Sequence, residues 1–283
     1  MFERVSRSWD LVKSSASVLS QDKELILFPI VSLGAMLVVV ACFALPMFGL
    51  GVLNGGLHGS SRTVSAGLYL AGFLFYFAHY FVVFFFNAAL VGAAMMRLEG
   101  KDTSFSDGLR IASSKVGVIA GYALIAATVG VVLRLIQERV GFIGKIIVGL
   151  LGVSWTLATY LVVPVLVSKD VGPIDAVKES ALLLKKTWGE NLIGNIGIGA
   201  GFAFIYLGVI ACAVALVGLA VMSHSTALIV SMVLVCLVAI AITVLVQAAL
   251  SGIYEAALYR YATEGEGSSG FDSSQLKLAF SPK

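Results

Sequence analysis

Long apolar runs bounded by short clusters of charge recur six times along the chain: about Leu25 to Leu53, Gly67 to Arg97, Val116 to Glu138, Phe142 to Val167, Leu192 to Met222 and Thr226 to Ala262. A stretch of about 18 or more nearly uncharged residues is long enough to cross a bilayer. Lipid offers the backbone no hydrogen-bond partner, so runs of this kind must be helical. The alternation of a membrane β-barrel is absent. The pattern predicts an all-α polytopic membrane protein with six transmembrane helices.

Polar segments with a helical apolar stripe precede the first, third and fifth runs. In the first, Phe2, Val5, Trp9, Val12, Ala16 and Leu19 follow three-four spacing, with Arg4, Asp10 and Lys13 elsewhere on the wheel. Near the fifth run, Ile174, Val177, Ala181, Leu184 and Trp188 do the same behind Pro173, a residue suited to a helix start. The middle stripe is shorter: Phe105, Leu109, Ala112 and Val116. These segments predict three amphipathic helices lying on the inner membrane face or against protruding helix ends. One amphipathic helix and two spans, three times over, predicts a three-hairpin repeat with units 1–99, 100–169 and 170–263, followed by a flexible tail, 264–283. The ends of the second and sixth runs agree with it: Asn87-Ala88-Ala89-Leu90-Val91-Gly92 matches Gln247-Ala248-Ala249-Leu250-Ser251-Gly252 at the amide and the Ala-Ala-Leu-x-Gly core.

Composition narrows the function classes. Of 283 residues, 59% are apolar and 12% charged, about half the charge of a soluble domain, which leaves no room for a soluble catalytic domain. The net charge of +3 is too small and scattered to imply nucleic acid. Its distribution is more informative, because 15 of the 19 Lys and Arg residues fall on one side of the predicted spans, and this places both termini in the cytoplasm. The first run is too long and too late for a cleaved signal, so the first span is expected to persist. Cys42, Cys212 and Cys236 all lie inside apolar runs and read as small buried hydrophobes.

Several stretches carry a family likeness. Phe2-Glu3-Arg4 with Ser8-Trp9, Asp22-Lys23-Glu24-Leu25 leading to Phe28-Pro29, Asn87-Ala88-Ala89-Leu90, Val163-Pro164-Val165, Gly194-Asn195-Ile196-Gly197 and Ala257-Leu258-Tyr259-Arg260 resemble a prokaryotic six-span family catalogued as a domain of unknown function. The resemblance runs over essentially the whole chain and implies architecture without a reaction. More distantly, Ile174-Asp175-Ala176-Val177 with Lys186-Thr187-Trp188 is similar to the membrane domain attached to some glycerophosphodiester phosphodiesterases, whose catalytic barrel is missing here.

Polar groups inside a bilayer are costly and face protein or water, so they mark the candidate site. Tyr76, His79, Tyr80 and Asn87 share one stripe of the second span. Gln247 occupies the position matching Asn87, and Glu255 is the sole acid between Thr226 and Thr263. With Arg97, these residues define a predicted polar vestibule near the inner leaflet: Asn87, Gln247, Glu255, Arg97, His79 and Tyr76. The plainer reading has Asn87 and His79 bonding across helix interfaces and Glu255 paired with Arg97 or Arg260. Arg134 and Glu138, four apart, predict an ion pair.

Nine of the fourteen residues from Phe73 to Phe86 are aromatic. Such a face could hold a carotenoid, quinone or acyl chain, yet a packed or lipid-facing helix accounts for it, and no cofactor is expected. Gly194, Gly197, Gly199 and Gly201 lack the preceding strand of a dinucleotide loop and, with Gly117 and Gly121, read as points of close helix approach. Pro46 and Pro164 are expected to interrupt their spans. No nucleophile with its base and no metal quartet is evident, so catalysis is not expected. Phe271, Leu276 and Phe280 in the tail are spaced to dock on the cytoplasmic face.

The leading expectation is a non-enzymatic, channel- or transporter-like protein of a prokaryotic inner membrane. The alternative is a membrane-organising scaffold that binds lipid, a second copy or a partner membrane protein.

Overall fold

The computed structural model of the chain describes residues 2–49, 62–188 and 197–264. Gly194 and the tail positions Phe271, Leu276 and Phe280 lie outside them, and the surroundings of Gly197, Gly199 and Gly201 are likewise not described. The described residues are helical, without strands: α1 (Phe2–Gln21), a 3-10 turn (Lys23–Ile26), α2 (Leu27–Gly49), α3 (Arg62–Leu98), α4 (Phe105–Ser114), α5 (Val116–Arg139), α6 (Phe142–Ala158), α7 (Val162–Ser168), α8 (Pro173–Trp188), α9 (Gly197–Met222) and α10 (Thr226–Glu264). Among the described residues, six stretches are long and apolar enough to span a membrane: Lys23–Met47, Gly67–Leu98, Val116–Arg139, Phe142–Ser168, Phe202–Met222 and Thr226–Glu264.

The chain forms two compact units, and α3 passes from one to the other. The first comprises Met1–Ile26, Ala94–Thr103 and Lys185–Lys283; the second comprises Leu27–Ala93 and Ser104–Leu184. In the first unit, α1 packs on both α9 and α10, which lie against each other. Asp22 ends α1 and closes the 3-10 turn: its Oδ1 accepts the Glu24 N–H at 3.2 Å, and its other carboxylate oxygen accepts from the Thr103 hydroxyl, 81 positions along the chain.

In the second unit, α4 opens with a capping box. The Asp107 N–H donates to Ser104 Oγ at 3.2 Å and the Ser104 N–H returns to Asp107 Oδ2 at 3.2 Å. The helix then seats Gly108 against α2 and α3. A Cβ there would stand 2.4 Å from Phe28 Cζ and 2.6 Å from the Ala89 carbonyl oxygen. Phe28 in turn packs on Phe105, with ring centroids 4.7 Å apart.

The fourth span breaks where proline requires it. Pro164 has no N–H to continue the helical ladder, so α6 stops at Ala158 and α7 starts at Val162. The Leu161 N–H exposed by the break donates to Ser180 Oγ of α8 at 3.0 Å. Pro46, by contrast, sits near the end of an uninterrupted α2.

The three segments predicted to be amphipathic are helices, but the predicted stripes are displaced. In α1, Val12, Ser14, Ser15 and Val18 are buried, while Trp9 and Ala16 are exposed. In α8 the buried row is Ala176, Ser180 and Leu184, and Ile174 is 62% exposed. In α4, Gly108 and Ala112 are buried and Val116 is exposed. Small side chains such as Ser15, Gly108, Ala112, Ala176 and Ser180 let one helix backbone approach another, while Trp9 and Ile174 stay outside. The cysteines divide as well, with Cys236 buried and Cys42 and Cys212 exposed, contrary to the expected burial of all three. Gly121 makes the close approach expected of it, since a Cβ would fall 2.7 Å from Pro173 Cγ, whereas Gly117 has open space.

Burial is concentrated at the C-terminal ends of the second, fourth and sixth spans. Ala88 through Met95 are all buried, as are Leu161 through Leu166, Gly252 to Tyr254 and Ala256 to Tyr259. Elsewhere the spans expose large apolar side chains such as Leu37, Leu150, Leu207 and Val238.

Candidate functional site

The six predicted vestibule residues are divided between the two compact units. Tyr76, His79 and Asn87 belong to the second, and Arg97, Gln247 and Glu255 to the first. Each has a distinct setting. The Tyr76 hydroxyl accepts from Arg134 Nη1 at 2.6 Å, and Arg134 Nε donates to Glu138 at 3.2 Å, so the expected Arg134–Glu138 pair is present and recruits the tyrosine. His79 packs among rings, its centroid 6.2 Å from Phe75 and 5.7 Å from Tyr80.

Gln247 is tied across a helix pair. Tyr206 of α9 donates its hydroxyl hydrogen to Gln247 Oε1 of α10 at 2.5 Å. Sequence reasoning overlooked Tyr206, although it is the lone hydroxyl-bearing residue between Phe202 and Met222. Arg97, with its helix ending at Leu98, turns to Asp102 at 2.9 Å. Arg260 grips Glu264 through Nε at 3.3 Å and Nη2 at 2.9 Å; its buried Nη1 has no partner among the described residues. Asn87 and Glu255 are both half-buried and both engaged with partners.

Outside the membrane-spanning stretches, two carboxylates are held below their usual range. Asp107 is lowered first by the Ser104 hydroxyl hydrogen bond and then by the Ser104 backbone and Arg110. Asp170 is lowered by its hydrogen bond and ion pair with Lys115. Among the described residues, no three His, Cys, Asp or Glu side chains converge to hold a metal ion.

Among the described residues, a groove indents the spanning helices of each unit. In the second unit, α3, α5 and α6 enclose about 490 Å³ lined by Tyr80, Gly130, Gly149, Gly152, Trp155 and Thr156 together with aliphatic neighbours. In the first unit, α9 and α10 leave an apolar groove of about 390 Å³ that includes Cys212 and Cys236.

An all-helical architecture with six apolar spanning stretches makes this a multi-pass membrane protein. The chain belongs to the family of unknown function DUF6159, which matches residues 65–271. That match leaves aside residues 1–64, where part of the noted likeness lay, and the comparisons lend no support to a relation with glycerophosphodiester phosphodiesterase membrane domains. No significant match is found among curated proteins or solved structures.

Proposed function

We propose that the protein is a non-enzymatic membrane scaffold whose short helices clamp the ends of its spans and whose apolar flanks engage lipid and partner membrane proteins. The observation that carries this reading is the pairing of all-round burial at the ends of the second, fourth and sixth spans with large exposed apolar side chains along the rest.

The clamps share a design, in keeping with a threefold internal repeat. Asp10-Leu11-Val12-Lys13 in α1, Asp107-Gly108-Leu109-Arg110 in α4 and Asp175-Ala176-Val177-Lys178 in α8 carry acid, hydrophobe and base at one spacing. Five residues past each aspartate stands a small residue with no exposure: Ser15, Ala112 and Ser180. The acid and base pair at 2.7 Å in α4 and at 3.0 Å in α8. Exposed Trp9, Ile174 and Leu182 would then sit at the inner surface of a prokaryotic cytoplasmic membrane, both termini on that side. Native mass spectrometry after gentle extraction should find a defined oligomer or hetero-complex with retained lipid. A bare, lipid-free monomer would refute the scaffold.

A second reading, transport through an inner vestibule, draws support from amides at matched positions, one of them bonded at spanning depth to Tyr206. Proteoliposome flux that is lost in an Asn87→Leu, Gln247→Leu double variant would favour it over the scaffold.

A further inference from the structure

We propose that the groove between α3, α5 and α6 is a binding site for an isoprenoid quinone, a class of ligand that the scaffold reading neither requires nor names. Gly130 lies nine residues before Arg139, and Gly152 ten residues after Phe142. At about 1.5 Å per residue, both are about 14 to 15 Å from the ends of α5 and α6, near the middle of a hydrocarbon layer of about 30 Å. At this depth the groove holds a hydrogen-bond donor, the Tyr80 hydroxyl. The Tyr80 hydroxyl points at Gly130, 3.3 Å from where a Cβ would fall, and Trp155 is among the residues that line the same groove. Neither the hydroxyl nor the indole N–H has a hydrogen-bond partner among the described residues. The nearby Thr156 hydroxyl is already committed to the Gly152 carbonyl at 3.0 Å.

Unmatched donors in hydrocarbon are unfavourable, and the matching ligand is one that brings acceptors alone to the bilayer centre. Phospholipid ester carbonyls stay near headgroup depth. A quinone ring carries two carbonyl acceptors, no donor, and a flat face for the wall formed by Gly130, Gly149 and Gly152. Its polyprenyl tail would leave through the open side of the groove into lipid. Space favours the same assignment, since a Cβ added at Gly149 or Gly152 meets nothing within 4 Å.

The test uses the full chain in nanodiscs with Trp9→Phe and Trp188→Phe, so that Trp155 is the one remaining tryptophan. Decylubiquinone titrated into the lipid should quench its emission along a saturable curve. Tyr80→Phe should raise the apparent Kd about threefold, the fold-change matching an average membrane hydrogen bond of about 0.6 kcal/mol. Gly152→Leu, whose side chain fills the groove, should abolish saturation. Linear, non-saturable quenching, the signature of quinone merely dissolved in the bilayer, would overturn the site, as would a saturable curve unchanged in both variants. Tyr80→Phe keeps the test decisive if Gly152→Leu fails to fold. Loss of this site would leave the oligomer measurement untouched, so the two proposals fail separately.

Discussion

Gly108→Ala is the sharpest probe of how α4 is seated. The added methyl would fall 2.4 Å from Phe28 Cζ and 2.6 Å from the Ala89 carbonyl oxygen, both well inside contact distance. The ring is itself wedged against Phe105, and the carbonyl belongs to an α3 segment buried on all sides, so neither yields without moving a helix. Alanine gains about 1 kcal/mol over glycine in helix propensity, while overpacking costs about 1 to 3 kcal/mol, and a backbone obstacle puts this site at the upper end. The net loss should be about 1 to 2 kcal/mol. At about 2 to 4 °C per kcal/mol, the midpoint in detergent, followed by size-exclusion recovery after heating, should fall by about 2 to 8 °C. Gly72→Ala, with nothing within 4 Å of the new atom, is the matched control and should be neutral or stabilising. Adding Phe28→Leu to Gly108→Ala should restore part of the loss, because the Ala89 oxygen remains in the way. A Gly108→Ala protein as stable as the Gly72→Ala control would refute the close seating of α4.

Removing the Ser180 hydroxyl with Ser180→Ala should strand the Leu161 N–H, lower stability by about 1 to 3 kcal/mol and speed hydrogen exchange at Leu161. Tyr206→Phe should cost about 0.6 kcal/mol, as thermal midpoints will report. Because Asp107 and Asp170 are held below the ordinary carboxylate value of 3.8, both bind protons less readily folded than unfolded. Their stabilisation is therefore complete above that value and disappears as pH falls through the lowered values; Asp107→Asn should flatten the acid limb of a midpoint-versus-pH curve. Cysteine labelling of intact cells at Ser20→Cys and Ser223→Cys should react only at the second if both termini are cytoplasmic.

Hydropathy and length make the spans legible, and the ring of Pro164 marks the break in the fourth span, since a missing N–H acts locally. The Arg134–Glu138 pair was equally readable because spacing on one helix decides it. The facing of the short helices was not. In water the bulkiest apolar side chains turn toward protein, but beside a bilayer Ile174 and Trp9 have lipid as an alternative, and Ala176, Ser180 and Gly108 take the interior because backbones approach over them. Tyr76 shares a stripe with Asn87, whereas its hydroxyl answers to Arg134 on another helix, a partner that no periodicity within α3 reveals. Tyr80 and Trp155 meet at one groove although 75 positions separate them, which only packing discloses.

The Leu161–Ser180 bond has a bearing on biogenesis. Translation produces the break in the fourth span nineteen residues before the serine that satisfies it. A nascent hairpin that has just entered the bilayer therefore carries an open amide, and a reason to linger near the insertion machinery or the wet interface until α8 emerges. Ribosome-stalled chains ending before and after position 180 would differ in how readily they leave the translocon, with the later helix acting as the release signal for the earlier span.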